Sequence, residues 1–128
     1  MRTLLDTHVL FWWLTDDTRL SAPARQVLVG DPDTAHVSVA TAWEIAIKVG
    51  QGKWPEAKWL IDNFEREIAA EGFRLLPIEV SHARAAGLMR VAHRDPFDRL
   101  LVAQAASEEL TVVTSDQVLA GLGAACLW

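Results

Sequence analysis

The feature that most constrains this chain is a series of short, nearly continuous apolar runs, each followed by a segment of helical character. Arg2-Thr3-Leu4-Leu5, His36-Val37-Ser38-Val39-Ala40, Phe73-Arg74-Leu75-Leu76-Pro77 and Leu110-Thr111-Val112-Val113-Thr114 read as strands, and Ala125-Cys126-Leu127 as a brief edge strand. Between them, apolar residues recur at helical spacing, as in Ala42, Ile45, Ala46 and Val49. Strands this apolar, alternating with helices, must be covered on both faces. The expected core is therefore an α/β arrangement with a parallel sheet.

Punctuation places the helices. One should run from His8 to Leu14, and another should be capped by Ser21 with Pro23 in its first turn. Thr41 should open a third, and a long continuous helix is expected from Glu56 to Glu71, before a further helix from Ser81 to Val91. Asp95-Pro96 should start another through Ala105, and a short helical turn should follow Asp116. Nothing in the sequence marks a linker, and 128 residues suit one core, so residues 1–128 are expected to form a single domain.

Composition removes several classes. No apolar run is long enough for a membrane span, and Asp6 interrupts the N-terminus too early for a signal peptide, so a soluble cytoplasmic protein with no membrane partner is expected. The single Cys126 rules out an internal disulfide and a cysteine-rich metal site. His8, His36, His82 and His93 share no ligand spacing and read as structural or surface residues. There is no phosphate-cradling glycine loop. A net charge of −5 argues mildly against a nucleic-acid ligand, although acids gathered round a cation would reverse the local field. The run Phe11-Trp12-Trp13-Leu14 points all round its helix, which would suit partial cover by a protein partner.

In parallel sheets, ligands bind beyond the carboxyl ends of the strands. Four acids fall there: Asp6, Glu44, Asp98 and Asp116. Each has an ordinary explanation. Asp6 could cap a helix; Glu44 could form a capping box with Thr41 or an i, i+4 pair with Lys48. Asp98 could favour the dipole of a helix capped by Asp95, and Asp116 could belong to a cap or an Asx-turn. Those explanations leave out the convergence. Two carboxylates about 4 Å apart repel by roughly 4 kcal/mol at an effective dielectric of about 20, so such a cluster recruits a cation or raises its own pKa values. Oxygen ligands without Cys or paired His select a hard cation, Mg²⁺ or Mn²⁺.

Leu5-Asp6-Thr7-His8, Ala42-Trp43-Glu44-Ile45-Ala46-Ile47-Lys48, Asp95-Pro96-Phe97-Asp98-Arg99-Leu100-Leu101 and Thr114-Ser115-Asp116 together resemble the motifs of PIN-domain nucleases, nearest to the VapC-type toxins of bacterial toxin–antitoxin pairs. The resemblance spans essentially the whole chain. It implies a three-layer α/β/α PIN-like domain with a central parallel sheet of four to five strands. It also implies a Mg²⁺-dependent (alternatively Mn²⁺-dependent) endoribonuclease acting on RNA, a homodimer, and neutralisation by a small antitoxin. On this resemblance Asp6, Glu44, Asp98 and Asp116 are the catalytic and metal-binding residues. Asp95 competes with Asp98 for the third place, and Thr7 and Ser115 supply assisting hydroxyls. Lys48, Lys53, Arg94 and Arg99 flank the acids and are candidates for holding the RNA backbone.

Overall fold

The structure, a computed structural model, describes residues 1–92 and 95–128. The elements run β1 (Thr3–Leu5), α1 (Thr7–Leu14), α2 (Ala22–Gly30), β2 (Ala35–Ser38), α3 (Val39–Gly50), α4 (Lys58–Asp62), α5 (Phe64–Ala70), β3 (Arg74–Leu76), α6 (Val80–Leu88), α7 (Pro96–Glu108), β4 (Thr111–Val113), α8 (Gln117–Gly121) and β5 (Cys126–Leu127). Among the described residues the five strands form one sheet in the order β3-β2-β1-β4-β5, every neighbouring pair parallel. Among the described residues no helix is long and apolar enough to cross a membrane.

The alternation of side chains along each strand divides the core into two layers. Leu5 and Val113 join Val9, Leu10, Leu28, Ile45, Leu60, Phe64 and Ile68 on one face. Leu4 and Val112, one residue earlier, join Leu101, Val102, Ala105 and Leu119 on the other. This is why the strands read as unbroken apolar runs: both faces are dry.

The chain steps outward from β1 through β2 to β3, then crosses back to lay β4 on the far side of β1. The strand order therefore reverses between β1 and β4, where a crevice opens at the carboxyl edge. The Asp6 N–H donates to Val113 O across that crevice at 3.1 Å, fixing where the chain leaves β1.

Three boundaries differ from the sequence expectation. The cap of α3 is Ser38, whose hydroxyl accepts from the Ala40 N–H; Thr41 lies inside the first turn, buried, with no partner for its hydroxyl among the described residues. The capping box of Thr41 and Glu44 is thus absent, because Val39-Ala40 continue the helix and not the strand. The expected helix from Glu56 to Glu71 is instead a 3-10 turn at Pro55–Ala57 followed by α4 and α5, broken at Asn63. There the backbone leaves helical geometry (φ −131°) and the Asn63 amide donates back to Trp59 O, local bonding that competes with the helix. Helix α6 stops at Leu88, short of Val91.

The aromatic run in α1 is half-buried and packs largely on this chain itself. Phe11 meets Trp54, Trp12 meets Trp128 and takes the Arg19 guanidinium over its ring, and Trp13 packs on Phe73 while donating to Glu71.

Candidate active site at the carboxyl edge of the sheet

Asp6 caps α1 directly beyond β1. Its Oδ1 accepts from the Thr7 N–H at 2.7 Å and its Oδ2 from the Thr114 hydroxyl at 2.7 Å. Burial pushes the Asp6 carboxyl above its usual range and nearby Glu44 pushes the same way, against the lowering effect of the Thr114 hydroxyl, the Thr7 amide and His8. A half-buried carboxylate held only by hydroxyl and amide donors, with a second carboxylate close by, is a place that favours a cation.

Glu44 projects from the second turn of α3. Its Oε1 accepts from the Thr7 hydroxyl at 2.5 Å and its Oε2 faces Lys48 Nζ at 3.2 Å. Asp116 caps α8 after β4, with its Oδ1 accepting from the Val118 N–H at 2.9 Å. Its own N–H donates to the Thr114 hydroxyl at 2.9 Å. Two threonines therefore stitch three acids together: Thr7 between Asp6 and Glu44, and Thr114 between Asp6 and Asp116. The Cys126 thiol on β5 is pushed up by burial and, less, by the charges of Asp6 and Asp116.

Asp95 is the cap of α7, accepting from the N–H groups of Phe97 and Asp98, and Pro96 is the first helical residue. Asp98 stands in the first turn, half-buried. That turn abuts α3 through an edge-to-face contact of Phe97 with Trp43, ring centroids 4.9 Å apart, and Trp43 immediately precedes Glu44.

Of the other candidates, Thr7 is buried and bonded as described, whereas Ser115 is exposed. Thr114, which is not among the sequence candidates, joins the site through its hydroxyl, donating to Asp6 and accepting from the Asp116 N–H. The signal was there: a polar residue closing a buried apolar strand needs a partner for its hydroxyl. Lys48 and Lys53 line a depression with His8 and Trp54 beside Glu44. Arg99 donates to the carbonyls of Ala86, Gly87 and Met89, closing the end of α6. Arg94 and His93 lie outside the described residues.

Among the described residues, the three ligand-type side chains that bring their polar atoms within 4.8 Å of one another lie elsewhere: Glu79, His82 and Glu108. Their spacing could hold a metal, and their hydrogen bonds explain them without one. His82 is fully buried; its Nδ1 accepts from the Glu79 N–H at 3.0 Å, so the proton of the neutral ring is on Nε2, 3.0 Å from Glu108 Oε1. A cation at Nε2 would have to displace that proton.

A parallel α/β/α sandwich with carboxylates gathered at its topological switch point defines the architectural class, and comparison with known proteins names it. The PIN domain family profile matches residues 3–124. The chain is 28% identical to Ribonuclease VapC22 of Mycobacterium tuberculosis, covering 91% of this chain and 88% of that protein. Its fold is similar to a chain of VapBC2 from Rickettsia felis bound to a promoter DNA fragment (TM-score 0.68, 13% identity, 99% of this chain and 98% of that one). It is equally similar to a chain of a toxin-antitoxin complex from Klebsiella pneumoniae (TM-score 0.68, 18% identity, 98% and 96%). The chain belongs to the PIN domain family.

Proposed function

We propose that the protein is a metal-dependent endoribonuclease, the toxin of a toxin–antitoxin pair, acting in the cytoplasm as a homodimer and neutralised by a small antitoxin. The observation that carries the enzymatic part is the convergence of Asp6, Glu44 and Asp116, far apart in sequence, on one crevice through Thr7 and Thr114. The ribonuclease name of the Mycobacterium relative and the VapBC complexes among similar structures support the substrate and the partner.

The donor set fits a hard divalent cation: all oxygens, with one carboxyl raised by burial where an ion would relieve the cost. Asp6 and Asp116 would be its main holders, with Glu44 and Asp98 completing the set; Mg²⁺ is the preferred ion and Mn²⁺ the alternative. Such a cation supplies positive charge to phosphodiester oxygens and makes water a better nucleophile near neutral pH. The protein's own residues do the rest. The Thr7 amide and the Thr114 hydroxyl orient the two Asp6 oxygens, and the Thr7 hydroxyl holds Glu44. Glu44 or Asp98 accepts the proton of the water that attacks phosphorus in line; the P–O3′ bond breaks, and the departing 3′-oxygen takes a proton from solvent, giving a 5′-phosphate and a 3′-hydroxyl. Lys48 and Lys53 hold the RNA backbone; Asp95 keeps the start of α7 in place.

The test is incubation of labelled structured RNA with and without Mn²⁺. Cleavage that EDTA stops and that Asp6→Asn removes supports the reading. Equal cleavage by a folded Asp6→Asn protein, or none on any of several RNAs, refutes it.

A further inference from the structure

Beside Glu44 lies a depression of about 270 Å³ lined by His8, Lys48, Lys53 and Trp54. Its construction is specific. The loop after α3 turns through Gly52 in the left-handed region (φ 69°), and the N–H groups of Lys53 and Trp54 both return to Lys48 O, at 2.9 and 3.3 Å. That reversal carries the Trp54 ring back to α1, where His8 stacks on it with centroids 5.2 Å apart and planes 28° from parallel. Phe11 buttresses Trp54 from the core side at 4.9 Å. Lys48 reaches both ways: its Nζ is 3.2 Å from Glu44 Oε2 and 5.8 Å from the Trp54 ring centre. His8 and Lys53 are exposed, and among the described residues no carboxylate pairs with Lys53.

A chain of net charge −5 thus gathers two lysines round the stacked His8–Trp54 pair, one lysine away from an acid of the candidate site. Aromatic faces flanked by cations are the means by which proteins hold single-stranded nucleic acid, through base stacking and phosphate contacts. We propose that this depression is a nucleotide subsite: one unstacked base of single-stranded RNA lies against the His8–Trp54 pair, and Lys48 and Lys53 hold its flanking phosphates. The occupied nucleotide is then next to the phosphodiester presented to Asp6 and Glu44. The inference rests on the RNA-cleaving reading and adds to it the place where one base is held.

Binding tests it separately from catalysis. Fluorescein-labelled oligouridylate of about eight nucleotides, and an abasic ribose-phosphate chain of the same length, are titrated against the full-length protein in Ca²⁺ by anisotropy. The wild type should bind the base-bearing chain more tightly. His8→Ala, at an exposed position, should weaken that binding about 5-fold or more and narrow the gap between the two chains. His8→Phe should restore the gap, and Lys53→Ala should lower the salt slope by about 0.7. Wild-type affinity for both chains in His8→Ala and Lys53→Ala overturns the subsite and leaves this surface to a protein partner; absence of any binding by the wild type overturns it too. Cleavage with affinity unaffected by these variants sinks the subsite alone. Base-dependent binding without cleavage of any RNA sinks the nuclease alone.

Discussion

Two clusters of acids sit toward opposite ends of α7, and they behave differently. At its start, the turn that holds Asp98 packs through Phe97 on Trp43, the neighbour of Glu44 in α3. At its end, Glu108 meets His82 and Glu79. By helix rise the two ends are about 15 Å apart. The second cluster is the tighter by distance, yet it is electrically complete, because a ring proton and a backbone N–H occupy both histidine nitrogens. The first is wider: Asp6 leans on the Thr7 amide and the Thr114 hydroxyl, neither of which neutralises its charge, while Glu44 faces Lys48. Proximity of ligand atoms alone is therefore a poor guide to a reactive site. What distinguishes the two is whether each group's bonding capacity is already used.

The sharpest way to break this comparison is to neutralise one acid in each cluster. Asp6→Asn should slow metal-dependent RNA cleavage on the order of 10²–10³-fold, while Glu108→Gln leaves the rate of the folded protein essentially unchanged. A comparable loss in both variants would show that the clusters are not functionally distinct.

Stability should report the opposite ranking. His82→Ala removes a fully buried ring that satisfies the Glu79 N–H and Glu108, and should cost about 2–4 kcal/mol in urea unfolding. If the midpoint hardly moves, the cluster is not the structural clasp described.

Thr114→Val deletes the hydroxyl shared by Asp6 and Asp116 with little change of shape. We expect a roughly 10-fold fall in cleavage, near the loss of one hydrogen bond to a charged group, in a protein that still unfolds cooperatively. Ser115→Ala should have no such effect, and the reverse outcome would return the assisting role to Ser115.

The smallest effect is a stability change in metal-free protein. Since the Asp6 carboxyl is raised in the fold, the native state holds its proton more tightly than the unfolded chain does, and stability falls as pH climbs from 3.8 through the raised value. At neutral pH, metal-free Asp6→Asn should melt slightly higher than the wild type. The difference should disappear below the ordinary aspartate range, and Mg²⁺ should raise only the wild type appreciably. A wild type that melts higher than Asp6→Asn in EDTA would contradict the assigned shift.

Much of this was legible in the chain because the informative signals are local. Ser21 and Asp95 cap where Ser and Asp ahead of a proline-containing first turn should cap, and the five short strands follow the apolar runs. The acids stood out because strands that end in a charge are costly without a partner. What could not be read depends on residues distant in sequence. Burial of His82 is decided by Glu108, 26 positions on, and capping of α3 involves Ser38, whose hydroxyl also donates to Gln104, 66 positions on. Choosing between Thr114 and Ser115 needed the pleat of β4, which sends one hydroxyl toward Asp6 and leaves the other in solvent. The break at Asn63 needed competition between a side-chain amide and the helix ladder.

Strand β1 has a partner on each side, whereas β3 and β5 are rims. Amide exchange should therefore be slowest along Leu4 and Leu5, and loosening of either rim should spare the backbone that carries Asp6. The anchor of the chemistry is tied to the last part of the molecule to come undone, so fraying at the periphery can reshape what the crevice admits without disturbing its most buried carboxylate.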